Sequence, residues 1–375
     1  MNLIKKRPLL FLSIILFVLS LVVRSQIIGY VNRDLTLIQK WYAHLYTNGM
    51  AGLADENFSN YPPAYLYLLW FSTLLSNWIS PVSAIKLIPT FFDLLSTFTI
   101  FRMARLRYDD DTPYFIAAGF FMLPTILFNS TGWGQIDSTY TSFLLLCTYL
   151  LLKEKPFWAM IAFGMAFSFK IQSIFLLPFL GILFLKGRIR WHHFLLIPAV
   201  YIVLGIPIAL TGRSWPSIFS VYLVLADLFR VLSKNAPNLY IFVPNSFYDI
   251  GLRIGLGIFL IVMAIWGWIN WRARITFTHR QMMLMALAVL ALVPFVLPKM
   301  HDRYFYPVDV FSYAIIIFAP EMWFVPFLYQ LISGLSYSAF LLGAPVTVIM
   351  IAALINTGAT IYILRKQILS LEEEQ

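Results

Sequence analysis

From Pro8 onward the chain returns repeatedly to apolar runs of about 20 residues, the length an α-helix needs to cross a bilayer. With no water at hand, runs of that length satisfy their backbone hydrogen bonds within helices. The composition agrees: 60% of residues are apolar and 12% charged, with a mean hydropathy of +0.79. That balance excludes a soluble globular domain. The expectation is an all-α, polytopic transmembrane protein forming a single integral membrane domain over residues 1–375. The lone cysteine, Cys147, lies inside an apolar run, so no disulfide and no cysteine metal site is expected. The net charge of +10 is spread over loops, without the clustered basic and aromatic face that nucleic acid requires.

The first run, 8–28, follows Lys5-Lys6-Arg7 and resembles a signal sequence. No small-residue cleavage site precedes Gln26, so it is read as a retained span. Residues 30–60 are too polar to span. Leu35, Ile38, Trp41, Tyr42 and Leu45 repeat there at helical spacing, predicting an amphipathic helix in the interface. Asp34 stands at its start, where an N-cap would sit. Tyr61-Pro62-Pro63 opens a second apolar helix, 64–79, which by itself could span or lie along the surface. The basic turns decide. Arg102–Arg107, Lys186–Arg190, Trp271–Arg280 (with Arg274) and Arg365-Lys366 fall on one side, and the basic N-terminus joins them only if 64–79 does not cross.

Twelve spans follow, at 8–28, 84–105, 113–130, 138–152, 156–170, 173–186, 191–211, 251–271, 281–298, 303–320, 322–341 and 345–365. Both termini then face the cytoplasm. Two long segments face outward, 30–83 with its juxtamembrane helices and 212–250. The acidic end, Glu372–Glu374, reads as a solvated tail.

Between the apolar runs 113–128 and 139–152 lies the most polar short window of the chain, Asn129–Tyr140. Its glycines, Gly132 and Gly134, allow close backbone approach to a ligand, and Trp133 offers a stacking face for a sugar. Gln135 and Asp137 can grip hydroxyls. A connecting loop with an interfacial Trp is the plainer reading. The expected topology places this window on the outer side together with Asp34, Tyr61, Lys170, Gln172 and the segment Lys299-Met-His-Asp-Arg-Tyr304. Ionisable groups at membrane depth are costly and by default point to a function. Lys170, His301 and Arg303 are cations suited to a phosphate, and Arg grips one bidentately. Against this, Lys170 can snorkel and His301 can be a satisfied loop histidine. Two carboxylates, Asp34 and Asp137, beside such cations point to group transfer from a lipid phosphate. Asp93, inside the second span, has two equal readings: a structural pair, with Lys86 as the candidate partner, or a functional residue.

Trp133-Gly-Gln-Ile-Asp137, Tyr61-Pro-Pro-Ala-Tyr65, Lys170-Ile-Gln172 and Lys299-Met-His-Asp-Arg-Tyr304 resemble the signatures of GT-C membrane glycosyltransferases. The branch they are most similar to holds the GPI mannosyltransferase 2-like and dolichyl-phosphate-glucose-dependent enzymes. The motifs recur in family order over about residues 30–310, with Asp302 where the family more often has Glu. The resemblance implies an inverting transfer of a hexose, mannose or glucose, from a polyprenyl-phosphate donor to a glycan or lipid-linked acceptor hydroxyl. The reaction would face away from the cytoplasm of a bacterial plasma membrane or an ER membrane. It implies that Asp34 is the general base and that Asp137 and Gln135 hold sugar or acceptor. Trp133, Tyr61, Lys170, Gln172, Lys299 and Tyr304 would be further substrate contacts. His301 and Arg303 would stabilise the leaving lipid phosphate. A lipid phosphate leaves readily, so no cofactor or metal is expected. Three alternatives stay open: a transporter for a lipid-linked sugar, a GT-C transferase of an amino sugar, and a noncatalytic scaffold.

The topology is testable. Single cysteines at Gly187 and Ser214, in a Cys147→Ala background, should label from opposite sides of the membrane. Reagent reaching position 187 from outside intact cells overturns the arrangement.

Overall fold

The computed structural model describes residues 7–227, 229–273 and 277–372. Lys5, Lys6, Arg274, Glu373 and Glu374, used above for topology and the tail, lie outside the described residues. The fold is almost entirely helical and divides into two compact units. One comprises Met1–Tyr149, Phe157–Ser173 and His192–Leu228; the other comprises Leu150–Pro156, Ile174–Trp191 and Phe229–Gln375.

Among the described residues, seven helices are long and apolar enough to cross a membrane, or eight if the bent pair Thr112–Phe121 and Pro124–Trp133 is one span. Four of the twelve expected spans fall on shorter helices. Asp137–Leu152 has 16 residues, Pro156–Phe169 has 14, Leu177–Leu185 has 9 after a 3₁₀ turn, and Tyr306–Ile315 has 10. At about 1.5 Å per residue these fall short of a hydrocarbon core about 30 Å thick. Helix Pro63–Thr73, at 11 residues, is too short to cross on the same ground.

In the first unit, helix Pro8–Ile27 is built inside out. Its buried residues are Ser13, Ser20 and Arg24, while Leu12, Ile15, Val18, Leu19 and Val22 are exposed. Lipid is as apolar as leucine, so polar and small side chains are the ones that gain by turning toward neighbouring helices. What they meet is a broken helix. Proline 124 has no N–H and holds Leu123 extended, and the chain bends by 52° between Thr112–Phe121 and Pro124–Trp133. The break frees the carbonyl of Phe121. Ser20 Oγ donates to it at 2.9 Å and the Arg24 guanidinium at 3.3 Å.

Arg24 also donates to Asp93 (2.8 Å), Ser130 Oγ (3.0 Å) and Thr131 Oγ1 (2.6 Å), and it lies over the Phe121 ring. Asp93 additionally accepts from Ser130. The candidate Asp93–Lys86 pair is therefore corrected: Asp93 belongs to Arg24, and Lys86 bonds backbone carbonyls instead. Seven positions separate the two on one helix, two full turns, but each side chain reaches a different neighbour.

Helix Arg33–Asn48 buries Leu35, Ile38, Trp41, Tyr42 and Leu45, the face read from the sequence. Its N-cap is Asn32, whose Oδ1 accepts from Leu35 N–H at 3.0 Å, so Asp34 is not the cap. Further along, helix Leu196–Leu210 carries Pro207 inside it, and a side chain from another segment completes its ladder. Tyr67 Oη donates to Leu204 C=O (2.7 Å) and accepts from Ile208 N–H (2.9 Å).

The second unit is organised on helix His279–Val296, capped by a Thr278–Gln281 box and buried at every position from Gln281 to Val296. A helix apolar all round belongs at the centre of its unit. Tyr306–Ile315 and Val346–Glu372 pack on it, and Val325–Leu342 packs on both of these. Where it ends, Tyr240 Oη donates to Val296 C=O at 2.8 Å. The chain then enters a two-residue parallel pairing, Ser233 opposite Met300 and Lys234 opposite His301. Lys299 precedes it in the left-handed region, at φ 65°.

Breaking a buried ion pair by removing one partner costs about 3–5 kcal/mol, whereas replacing both partners with apolar groups is often neutral. Arg24→Met alone should therefore lower the melting temperature in detergent sharply, and Arg24→Met with Asp93→Leu should regain most of the loss. Equal melting of the single and double variants would mean the pair is not a coupled unit.

Candidate active site

The polar window singled out in the sequence folds as a π-helical turn, Phe128–Trp133, closed by Gly134 in the left-handed conformation (φ +81°). One-turn π segments inside helical proteins gather at functional sites. At Gly134 a side chain is excluded twice over: by that φ, and by Leu35 Cδ1, which would lie 3.0 Å from an added Cβ. The close approach brings the turn against the first turn of helix Arg33–Asn48.

Asp34, in the first turn of that helix, meets the window directly. Its Oδ2 accepts from Trp133 Nε1 at 3.2 Å and from Gln135 Nε2 at 2.8 Å. A carboxylate in a first helical turn also sits favourably in the helix dipole. Asp34 is half-buried, so it keeps a face toward solvent. Asn32 adds a further stitch, donating from Nδ2 to Trp133 C=O at 2.8 Å. Trp133 is thus held at both ends. Its exposure is 1%, so the sugar-stacking face expected of it is corrected: the ring is packed, and its N–H orients Asp34.

The second carboxylate is differently placed. Asp137 is fully buried, paired with Lys170, and accepts from Asn129 Nδ2 at 3.2 Å. Lys170 also lies near the Tyr140 ring. Both residues were read as ligand groups, one for hydroxyls and one for phosphate; here they neutralise each other. Gln172, next to this pair in sequence, has a buried Oε1 with no hydrogen-bond partner among the described residues. Tyr61 packs between Trp41 and Tyr65, each ring centroid 5.0 Å away and tilted to it.

At the edge of the loop, Glu56 accepts from Ser214 Oγ (2.6 Å) and Ser214 N–H (3.0 Å), which hold its carboxyl below the ordinary range. Arg213 donates to Glu56 C=O at 3.1 Å. These bonds clasp 55–60 to the turn before helix Trp215–Asp227.

The cationic segment Lys299–Tyr304 belongs to the second unit. His301 contacts the Phe229 and Tyr304 rings, at 5.2 and 5.1 Å. Arg303 Nε lies 3.8 Å from Asp302 Oδ1, and Lys299 Nζ lies 5.9 Å from the Tyr248 ring. Lys234, which the sequence reading passed over, stands in register with His301, with its ammonium over the Phe229 ring. Asn32, Lys86, Arg24 and Asn129 were also missed as parts of the first-unit site. Asn32 had a readable signal, as an N-cap residue ahead of a helix. Lys86 and Arg24 had another, as lone cations in apolar runs.

Long apolar helices, with a buried polar turn aligning a carboxylate at the start of an amphipathic helix, define an integral membrane protein with a candidate catalytic centre. The family's sequence model gives the class its chemistry. The chain belongs to glycosyltransferase family 87, matched over residues 58–298, well over half its length. It is a membrane glycosyltransferase. The match includes Tyr61, the Trp133–Asp137 window and Lys170, and it leaves Asp34 and Lys299–Tyr304 outside. A comparison with curated proteins finds no match.

If Lys170 serves Asp137, Lys170→Met leaves a carboxylate buried without its cation. The expected loss is then about 3–5 kcal/mol of stability, seen as a lowered melting temperature. Unchanged melting with weakened donor binding would instead make Lys170 a phosphate ligand.

Proposed function

We propose that the protein transfers a hexose, mannose or glucose, from a polyprenyl-phosphate donor to an acceptor hydroxyl on the non-cytoplasmic face, with inversion. The observation that carries this reading is Asp34: a half-buried carboxylate, aimed by the Trp133 indole and the Gln135 amide. Asp137 is the weaker candidate for a base, being enclosed and already matched with Lys170.

In this reading the acceptor O–H gives its proton to Asp34 while its oxygen forms a bond to the anomeric carbon. The bond from that carbon to the phosphate oxygen breaks, and the electron pair leaves with the lipid phosphate. One displacement inverts the centre. Charge grows on the leaving phosphate, so fixed cations favour the transition state over the ground state. Lys299, His301 and Arg303 are proposed for that role, and Tyr61, Gln172 and Tyr304 as further substrate contacts. Gln135 is proposed to act through Asp34, whose oxygen its amide already engages. The acceptor is proposed to be a glycan or a lipid-linked glycan.

The test is single-turnover transfer from a panel of polyprenyl-phosphate hexoses, with donor binding and melting temperature as controls. Asp34→Asn keeps an acceptor oxygen but cannot take the proton, and should lose at least about a hundredfold in rate. Arg303→Ala should lose about one to two decades in donor use, and Arg303→Lys should recover only part of it. Near wild-type transfer by Asp34→Asn removes Asp34 as the base. No transfer by the wild-type protein from any lipid phosphate sugar, with sugar movement across the membrane instead, would favour a transporter.

A further inference from the structure

Lys86 lies on helix Pro81–Ala104, is 0% exposed, and forms no ion pair with any carboxylate among the described residues. A buried cation in an apolar run is expensive and calls for a reason. Its ammonium donates to two backbone carbonyls, Tyr30 at 2.5 Å and Gly132 at 2.7 Å. These carbonyls belong to two segments a hundred residues apart in sequence. Tyr30 lies four residues before Asp34, and Gly132 precedes Trp133, whose indole meets Asp34. The aliphatic stem of the same lysine runs under Gly134, 3.4–3.5 Å from where a Cβ would stand. Thr90, one turn further on the helix, adds a contact to Thr131 Oγ1 at 3.0 Å.

We infer that Lys86 is a positioning residue for Asp34: it ties the segment leading into the Asp34 helix to the turn that carries Trp133 and Gln135, and so fixes the direction of the carboxylate. The inference rests on the reading of Asp34 as the base. A helix surface alone could not provide this tie, because the two carbonyls approach from different segments and need one donor group reaching both. Lysine suits the task, since its ammonium has three donors at the end of a flexible stem. Arg24 performs a different one, filling the helix break at Phe121 and holding Asp93.

The experiment compares kcat and donor KM for Lys86→Met, Gln135→Ala and the double variant, with Asp34→Asn alongside. Lys86→Met preserves length and removes both donors. A misaligned catalytic group costs up to about a hundredfold, so kcat should fall by about ten- to a hundredfold with donor KM within about twofold of wild type. The double variant should lose no more than the worse single, since both changes act on the same carboxylate. Lys86→Arg, which keeps N–H donors, should recover part of the rate. A merely structural lysine would give additive losses or a fall in active fraction that leaves kcat per folded molecule unchanged, and either result overturns the inference. If the Met variant does not accumulate, Lys86→Gln, with two amide donors on a shorter stem, enters the same cycle. An active Asp34→Asn would remove the base itself, which separates that failure from this one.

Discussion

A polar turn enclosed by apolar helices cannot hand its carbonyls and hydroxyls to water, so protein groups must satisfy every one that the turn leaves open. The first unit is arranged around that requirement. The helix break at Pro124 and the π turn at Phe128–Trp133 release backbone groups where lipid offers nothing, and two cations on flanking helices take them up. Arg24 secures the near side of the turn and Lys86 the far side, with Ser20, Thr90 and Asn32 filling the remaining places. Charge inside this unit therefore acts first as a donor of hydrogen bonds to an irregular backbone. Asp34 leans on the same turn through Trp133 and Gln135.

Two aspartates that look equivalent in sequence part company for this reason. Asp137 begins a helix whose surroundings close over it, and a lysine brought from the end of helix Pro156–Phe169 balances its charge. Asp34 begins a helix and accepts from the Trp133 indole and the Gln135 amide.

Much of this was legible in advance, though unevenly. The buried face of Arg33–Asn48 followed from spacing alone, because an amphipathic helix writes its environment into its period. The window at 129–140 stood out because polar residues between long apolar runs have few explanations. The pairings were not legible. Lys170 and Asp137 lie 33 positions apart, and nothing local shows that each answers the other. Lys86 was assigned to the acid nearest along its helix, whereas tertiary packing gave that acid to Arg24. Four of the twelve expected spans fall on short helices because short apolar helices read like long ones in hydropathy, which does not distinguish the two. The cap of the Asp34 helix was misplaced by two residues: Asn32 is the residue whose Oδ1 accepts from Leu35 N–H.

The hydroxyl of Tyr67 works as a splice. It occupies the rung between Leu204 and Ile208, giving and receiving where the helix would otherwise close on itself beside Pro207. The ladder at that end is completed by a tyrosine more than a hundred residues upstream. Helix Pro63–Thr73, which follows directly on Tyr61-Pro62, and the end of helix Leu196–Leu210 are thereby joined at one side chain.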